Sequence, residues 1–153
     1  MEPVAPIVVD LADSLSRVVR SATLPRFTER VADRAGVHLD RSAYVLLVRL
    51  TERPWRVGEL ADHLCLDVST VSRQVQALQE AGLARREPHP TDRRGWVVVI
   101  DEGGIVAVEA HRRARRQIFA ELLGDASADE LETVASVLHR LAERIETFNI
   151  SEP

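Results

Sequence analysis

The side chains whose types and spacing could do chemistry lie in two places. Ser69, Thr70, Arg73 and Gln74 fall within a single short helical stretch, and Arg93 and Arg94 sit side by side in the turn HPTDRRG of residues 89–95. None of these sets makes or breaks bonds; their chemistry is hydrogen-bond recognition. Short hydroxyls in a first helical turn reach phosphates or base edges, while Arg73 and Gln74, one turn on, are long enough for bidentate contacts to guanine and adenine. Each has a blander reading: Ser69 and Thr70 as caps, Arg73 and Gln74 as solvated surface, the Arg pair as the tip of a mobile hairpin. As a set that follows a break between two helices, they point to the reading of duplex DNA.

Such side chains need a rigid mount. Leu60, Ala61 and Leu64 share one face of a first helix, and Val71, Val75 and Leu78 one face of a second. That leaves Ser69, Thr70, Arg73, Gln74 and Gln76 pointing outward. Asp67 stands where an N-cap carboxylate accepts backbone N–H groups, and Gly82 stands where a helix ends in the left-handed conformation. Two strands around the Arg-bearing turn follow, with Trp96 expected to pack the hairpin onto the helices; stacking on a sugar is its alternative role. Asp92 repels phosphate, so its expected part is to pair with an Arg and fix the hairpin's direction.

The run Asp67-x-Ser69-Thr70-x-Ser72-Arg73, then Leu78, Gly82-Leu83 and Asp92-Arg93-Arg94, resembles the multiple antibiotic resistance regulator (MarR) family of winged-helix repressors. The motif covers residues 57 to about 104, and the order of helices agrees over nearly the whole chain. One departure is Asp101 at the cap after the second strand, where the family usually has Thr. The resemblance implies a mainly α fold with a small β-hairpin wing, adds Ser72 to the DNA-contacting set, and places Arg94 or Arg93 in a minor groove. It also implies a small-molecule effector, aromatic or phenolic. Candidate pocket residues are Phe27 and Tyr44 with an Arg for an anionic ligand, although core packing is the alternative role for either.

Composition fits a single domain over residues 1–153 with one core. No apolar run approaches a membrane span, the N-terminus has no signal-peptide pattern, and a lone cysteine forms no internal disulfide. A cytoplasmic location follows as the expectation. The net charge of −4 is unevenly spread: residues 121–153 hold eight acids against Arg140 and Arg144. All 20 basic residues are Arg, which offers planar forks to phosphates and guanine edges, or reflects a genomic composition bias.

Along the chain, Val8, Leu11, Leu15 and Val18 form a seam-type stripe on a helix over residues 6–22. Thr23 is positioned to cap a second helix closed by Gly36, and Asp40 a third, ended by Pro54. Residues 55–57 could pair with the wing. A helix opens at Gly103-Gly104, with Arg112, Arg113, Arg115 and Arg116 suited to pair with the acidic final segment. Ser127 and Glu130 form a capping box before a second seam, Leu131, Val134, Leu138, Leu141, Ile145 and Phe148. The reading is a winged helix-turn-helix lobe at 40–103, with dimerisation helices at 1–36 and 104–150. A homodimer presents two heads to a pseudo-palindromic operator, and an effector wedged between the parts changes their spacing.

No hydrolase motif or phosphate-binding glycine loop is present, and the five histidines show no metal-ligand spacing, so neither enzyme, cofactor nor metal is expected. Two alternatives remain: an oxidant-sensing repressor acting through Cys65, against which the flanking Leu64 and Leu66 argue for burial, and a winged-helix module that binds protein instead of DNA.

Overall fold

A computed structural model describes residues 5–92 and 94–150. Its elements in chain order are α1 (Pro6–Ala22), α2 (Pro25–Ala35), α3 (Arg41–Leu50), α4 (Val57–Leu64), α5 (Val68–Glu80), β1 (Ala84–Pro88), β2 (Trp96–Ile100), α6 (Glu102–Leu122) and α7 (Ala128–Ile150). The chain separates into two compact units, one up to Arg116 and one from Gln117, with the boundary inside α6.

The boundaries have local causes. Thr23 closes α1 and does not cap α2: its hydroxyl donates to the Val19 and Arg20 carbonyls at 3.0 Å. The N-cap of α2 is Leu24, held extended at φ −64°, ψ 143°, because a residue before proline is pushed out of the helical region. Asp40 caps α3 through Oδ1, which accepts the Ala43 N–H and the Ser42 hydroxyl at 2.7 Å. These two bonds hold its carboxyl below the usual range, the Ala43 bond most. The helix stops at Leu50, before Pro54. At the end of α5, Gly82 takes φ +70°, and the Leu83 N–H reaches back to the Leu78 carbonyl at 2.9 Å, a Schellman closure.

β1 and β2 pair antiparallel from Ala84–Ile100 out to Pro88–Trp96. The third strand expected at residues 55–57 shrinks to one bridge, Trp55 to Val98, since Val57 already begins α4. Leu46, Leu47, Leu60, Val71, Val75, Val98 and Val108 are buried together and fix the helix pair against the hairpin. Gly104 lets α6 approach this turn closely: a Cβ there would press into the Leu83 carbonyl oxygen. Before α7, the Glu130 carboxylate accepts the Ser127 N–H at 2.8 Å, as a capping box requires.

The stripes of α1 and α7 are bare in the single chain. No α1 residue is buried, and Val8, Val18, Val134 and Phe148 are 49%, 56%, 54% and 67% exposed. None of the helices among the described residues is long and apolar enough to cross a membrane.

Candidate nucleic-acid interface

Helix α5 is mounted on Val71, Val75 and Leu78, all buried. Opposite them Ser69 and Arg73 are exposed, with Thr70 and Ser72 half-buried beside them. Gln76 is exposed and its amide donates to Glu80 Oε1 at 2.9 Å. Gln74 departs from the expected outward direction. Its Oε1 is shut off from solvent without a hydrogen-bond partner, and the side chain lines a crevice of about 190 Å³ with His38, Leu39, Asp40, Ser42 and Ala43. The reason is helical spacing. Residue 74 lies three after Val71 and four before Leu78, so it shares their face.

The turn into α5 also differs in detail. Asp67 is the N-cap in extended conformation, but its side chain makes no cap bond; its backbone carbonyl accepts the Thr70 N–H at 2.9 Å. Cys65 occupies the left-handed position at φ 53° and is exposed, which overturns the burial expected from its apolar neighbours. The left-handed turn sends its side chain outward, and Leu66 beside it is itself 45% exposed.

The wing is anchored by charge. Asp92 Oδ2 accepts Arg56 Nη2 at 2.9 Å, and Oδ1 accepts the Arg94 N–H at 3.0 Å. The Arg94 bond first, then Arg56, holds the Asp92 carboxyl below the usual carboxylate range. His89 adds a second brace, with Nδ1 accepting the Asp92 N–H at 3.2 Å and its backbone N–H donating to the Gly95 carbonyl at 2.9 Å. At Gly95 a Cβ would come within 2.9 Å of Asp92 Oδ2 and 3.2 Å of Arg56 Nη2. Arg94 is thus exposed on a fixed turn; Arg93 lies outside the described residues.

Arg85 is committed to Glu87 and Asp101, at 2.7 and 2.8 Å, whereas Arg86 is exposed. Trp96, expected to pack the wing down, is 60% exposed. It is Val97 and Val98 that pack, one and two residues farther from the tip. Arg56 is the functional residue the sequence reading missed. Nothing in its neighbourhood marks it, because its partner is 36 residues away.

The two candidate pocket residues part company. Phe27 is half-buried and lines a hollow of about 420 Å³ with Leu24 and the charged Arg26, Glu29, Arg30 and Asp33. Tyr44 packs on the buried His111, with ring centres 5.6 Å apart, and the Arg115 guanidinium lies 5.2 Å from its ring. His111 Nε2 is hydrogen-bonded to the Val37 carbonyl at 2.6 Å. Arg112 and Arg116 pair with Glu109 on their own helix, at 2.7 and 3.6 Å, where the sequence pointed to the acidic final segment. Among the described residues no group of three or more His, Cys, Asp or Glu side chains is arranged to hold a metal.

A helix pair with a tight turn, an outward Arg on its second helix and a hairpin pinned beside it by an ion pair together define a winged helix-turn-helix, a DNA-binding architecture. The family model described as MarR family matches residues 39–95. The chain is 36% identical over 105 residues to the uncharacterized HTH-type transcriptional regulator YxaD of Bacillus subtilis (strain 168), covering 68% of this chain and 73% of that one. Two solved structures are similar. A MarR family protein from Bacillus stearothermophilus superposes with a TM-score of 0.77 at 21% identity, covering 94% of this chain and 99% of its own. A probable transcriptional regulator from Pseudomonas aeruginosa has a TM-score of 0.59 at 30% identity, covering 86% and 98%. The chain belongs to the MarR family: it is a DNA-binding transcription regulator and not an enzyme. A winged-helix module that binds only protein is thereby set aside.

Proposed function

We propose that the protein is a cytoplasmic homodimeric repressor that holds a pseudo-palindromic operator and leaves it when a small aromatic acid binds. The observation that carries the reading is the pair of uncovered apolar seams on α1 and α7, with Phe148 67% and Val18 56% exposed. Apolar surface on that scale belongs against a partner, and a second copy supplies the same seams. A two-fold dimer then offers two α5 helices to major grooves about one turn apart. Ser69, Thr70, Ser72 and Arg73 face the bases and phosphates, Arg94 or Arg93 enters the flanking minor groove, and Asp92 keeps the wing aimed. The hollow at Phe27 offers Leu24 and Phe27 to an aromatic ring and Arg26 or Arg30 to its carboxylate, with Glu29 and Asp33 also in the lining.

The test is footprinting and fluorescence anisotropy on DNA upstream of the protein's own gene, with salicylate titrated into the complex. A protected two-fold site released by salicylate supports the reading. Binding with no difference between that DNA and a scrambled duplex refutes it. The exposure of Cys65 immediately before α5 favours a second trigger, oxidation. Release by mild peroxide in the wild type, lost in Cys65→Ser, would identify it.

A further inference from the structure

Trp96 stands 60% exposed on a wing whose neighbouring valines are buried, and neither the reading helix nor the wing tip accounts for it. We propose that its indole lies against the sugar–phosphate wall of the duplex beside the wing. This rests on the reading that the wing enters a groove, and extends it to a residue of different chemistry.

Strand register sets the direction. The pairs Arg86–Val98 and Pro88–Trp96 put these four side chains on one face of the hairpin. That face starts in the core, where the Val98 side chain is buried, and runs outward to Trp96 near the tip. Arg86 on the same face and Arg94 two residues away are both exposed. The acids beside it in the hairpin are already paired, Asp92 with Arg56 at 2.9 Å and Glu87 with Arg85 at 2.7 Å. An aromatic plate between two exposed guanidiniums fits a polyanion with apolar sugars better than a protein surface, which needs acids to meet the arginines. Phosphates take the cations, and a deoxyribose face takes the ring. Sugars are alike at every step, so the contact adds affinity without sequence preference.

The chain has two tryptophans, and Trp55 is buried with its Nε1–H donated to the Arg49 carbonyl at 2.9 Å. Duplex is titrated into wild type and Trp96→Phe, recording emission and anisotropy together. The expected result is a quenched or blue-shifted emission that saturates with anisotropy in the wild type and is absent from Trp96→Phe. Trp96→Ala should weaken specific and random duplexes by the same factor, about tenfold, with Phe restoring part of it. Saturable anisotropy with unchanged emission overturns the proposal and leaves DNA reading intact. Failure to bind any duplex overturns the underlying reading. An emission shift that follows protein concentration without DNA assigns Trp96 to a second copy and also overturns the proposal.

Discussion

Replacing Gly104 and Gly58 by alanine, one at a time, should move stability in opposite directions, although the chemical change is the same. Both glycines lie in the first turn of a helix, α6 and α4. A Cβ at residue 58 meets nothing within 4 Å, so Gly58→Ala gains the backbone entropy that glycine forfeits, up to about 1 kcal/mol. At residue 104 the same methyl would press into the Leu83 carbonyl oxygen and lie 2.7 Å from Ile100 Cγ1 and 3.2 Å from Leu47 Cδ2. The obstacle is backbone, which cannot turn aside as a flexible side-chain end does. Overpacking of this kind costs about 1–3 kcal/mol or more, which outweighs the propensity gain.

For a chain of this size, a net loss of about 2 kcal/mol lowers Tm by about 4–8 °C, whereas Gly58→Ala should raise it by up to about 4 °C. The Leu83 carbonyl belongs to the turn that closes the reading helix, where the Leu83 N–H meets the Leu78 carbonyl at 2.9 Å. Gly104→Ala should therefore also weaken operator binding at temperatures where the protein is still folded. Thermal denaturation by circular dichroism decides the first point and anisotropy at 20 °C below Tm the second. A Gly104→Ala protein as stable as wild type would refute the close packing of α6 on the 82–83 turn.

Four further outcomes are expected. Arg73→Ala should cost about 1–3 kcal/mol on the operator and less on random DNA, while Gln74→Ala, whose oxygen is buried beside α3, should stay close to wild type in both; anisotropy compares them. The Asp92 carboxyl is held low in the folded wing, so its anchorage is complete above the ordinary carboxylate range and is lost as pH falls through the depressed value; hydrogen exchange at residues 88–96 should rise there in wild type and be high at all pH values in Asp92→Asn. Cys65→Gly should stabilise the protein by about 1 kcal/mol in urea denaturation, because the φ of 53° strains a residue with a side chain. Leu138→Arg should turn a dimer of about twice 17.1 kDa into a monomer on sedimentation at micromolar concentration, by placing a charge in a desolvated seam.

The parts legible in the sequence are those fixed by residues close together in the chain. Asp40, Gly36, Gly82 and the Ser127–Glu130 box act within four residues of their partners, and their elements lie close to where the pattern put them. Thr23 was misleading because two local rules compete at that point. A capping hydroxyl favours an N-terminus there, but Pro25 forces Leu24 into the extended geometry that the cap position needs. Gln74 was legible in its spacing and was hidden by its type, since an amide reads as surface even where the helix period puts it on the core face. Arg56 was not legible at all: the chain folds back 36 residues to bring Asp92 to it. Trp96 and Cys65 failed for a shared reason. Apolar type predicts burial only on average, and a hairpin tip or a left-handed turn places a side chain where no core exists to receive it.

The ties between wing and helices bear on how a ligand could act. Trp55 exchanges two backbone hydrogen bonds with Val98, at 2.8 and 3.1 Å, and the Asp101 N–H donates to the Leu83 carbonyl at 3.0 Å. Arg56 reaches Asp92 from the start of α4, and Arg85 reaches Asp101 across the base of the hairpin. Two of these ties run from the segment before α4 to the hairpin and two close the hairpin's base, so freeing the wing means breaking several bonds in one step while Val71, Val75 and Val98 remain packed. An effector with a few kcal/mol of differential binding is better matched to moving this lobe as a body. The quantity to measure is then the distance between the two α5 helices of a dimer, for example between spin labels at residue 76 of each copy. A ligand that releases DNA without changing that distance would require loosening within the lobe instead.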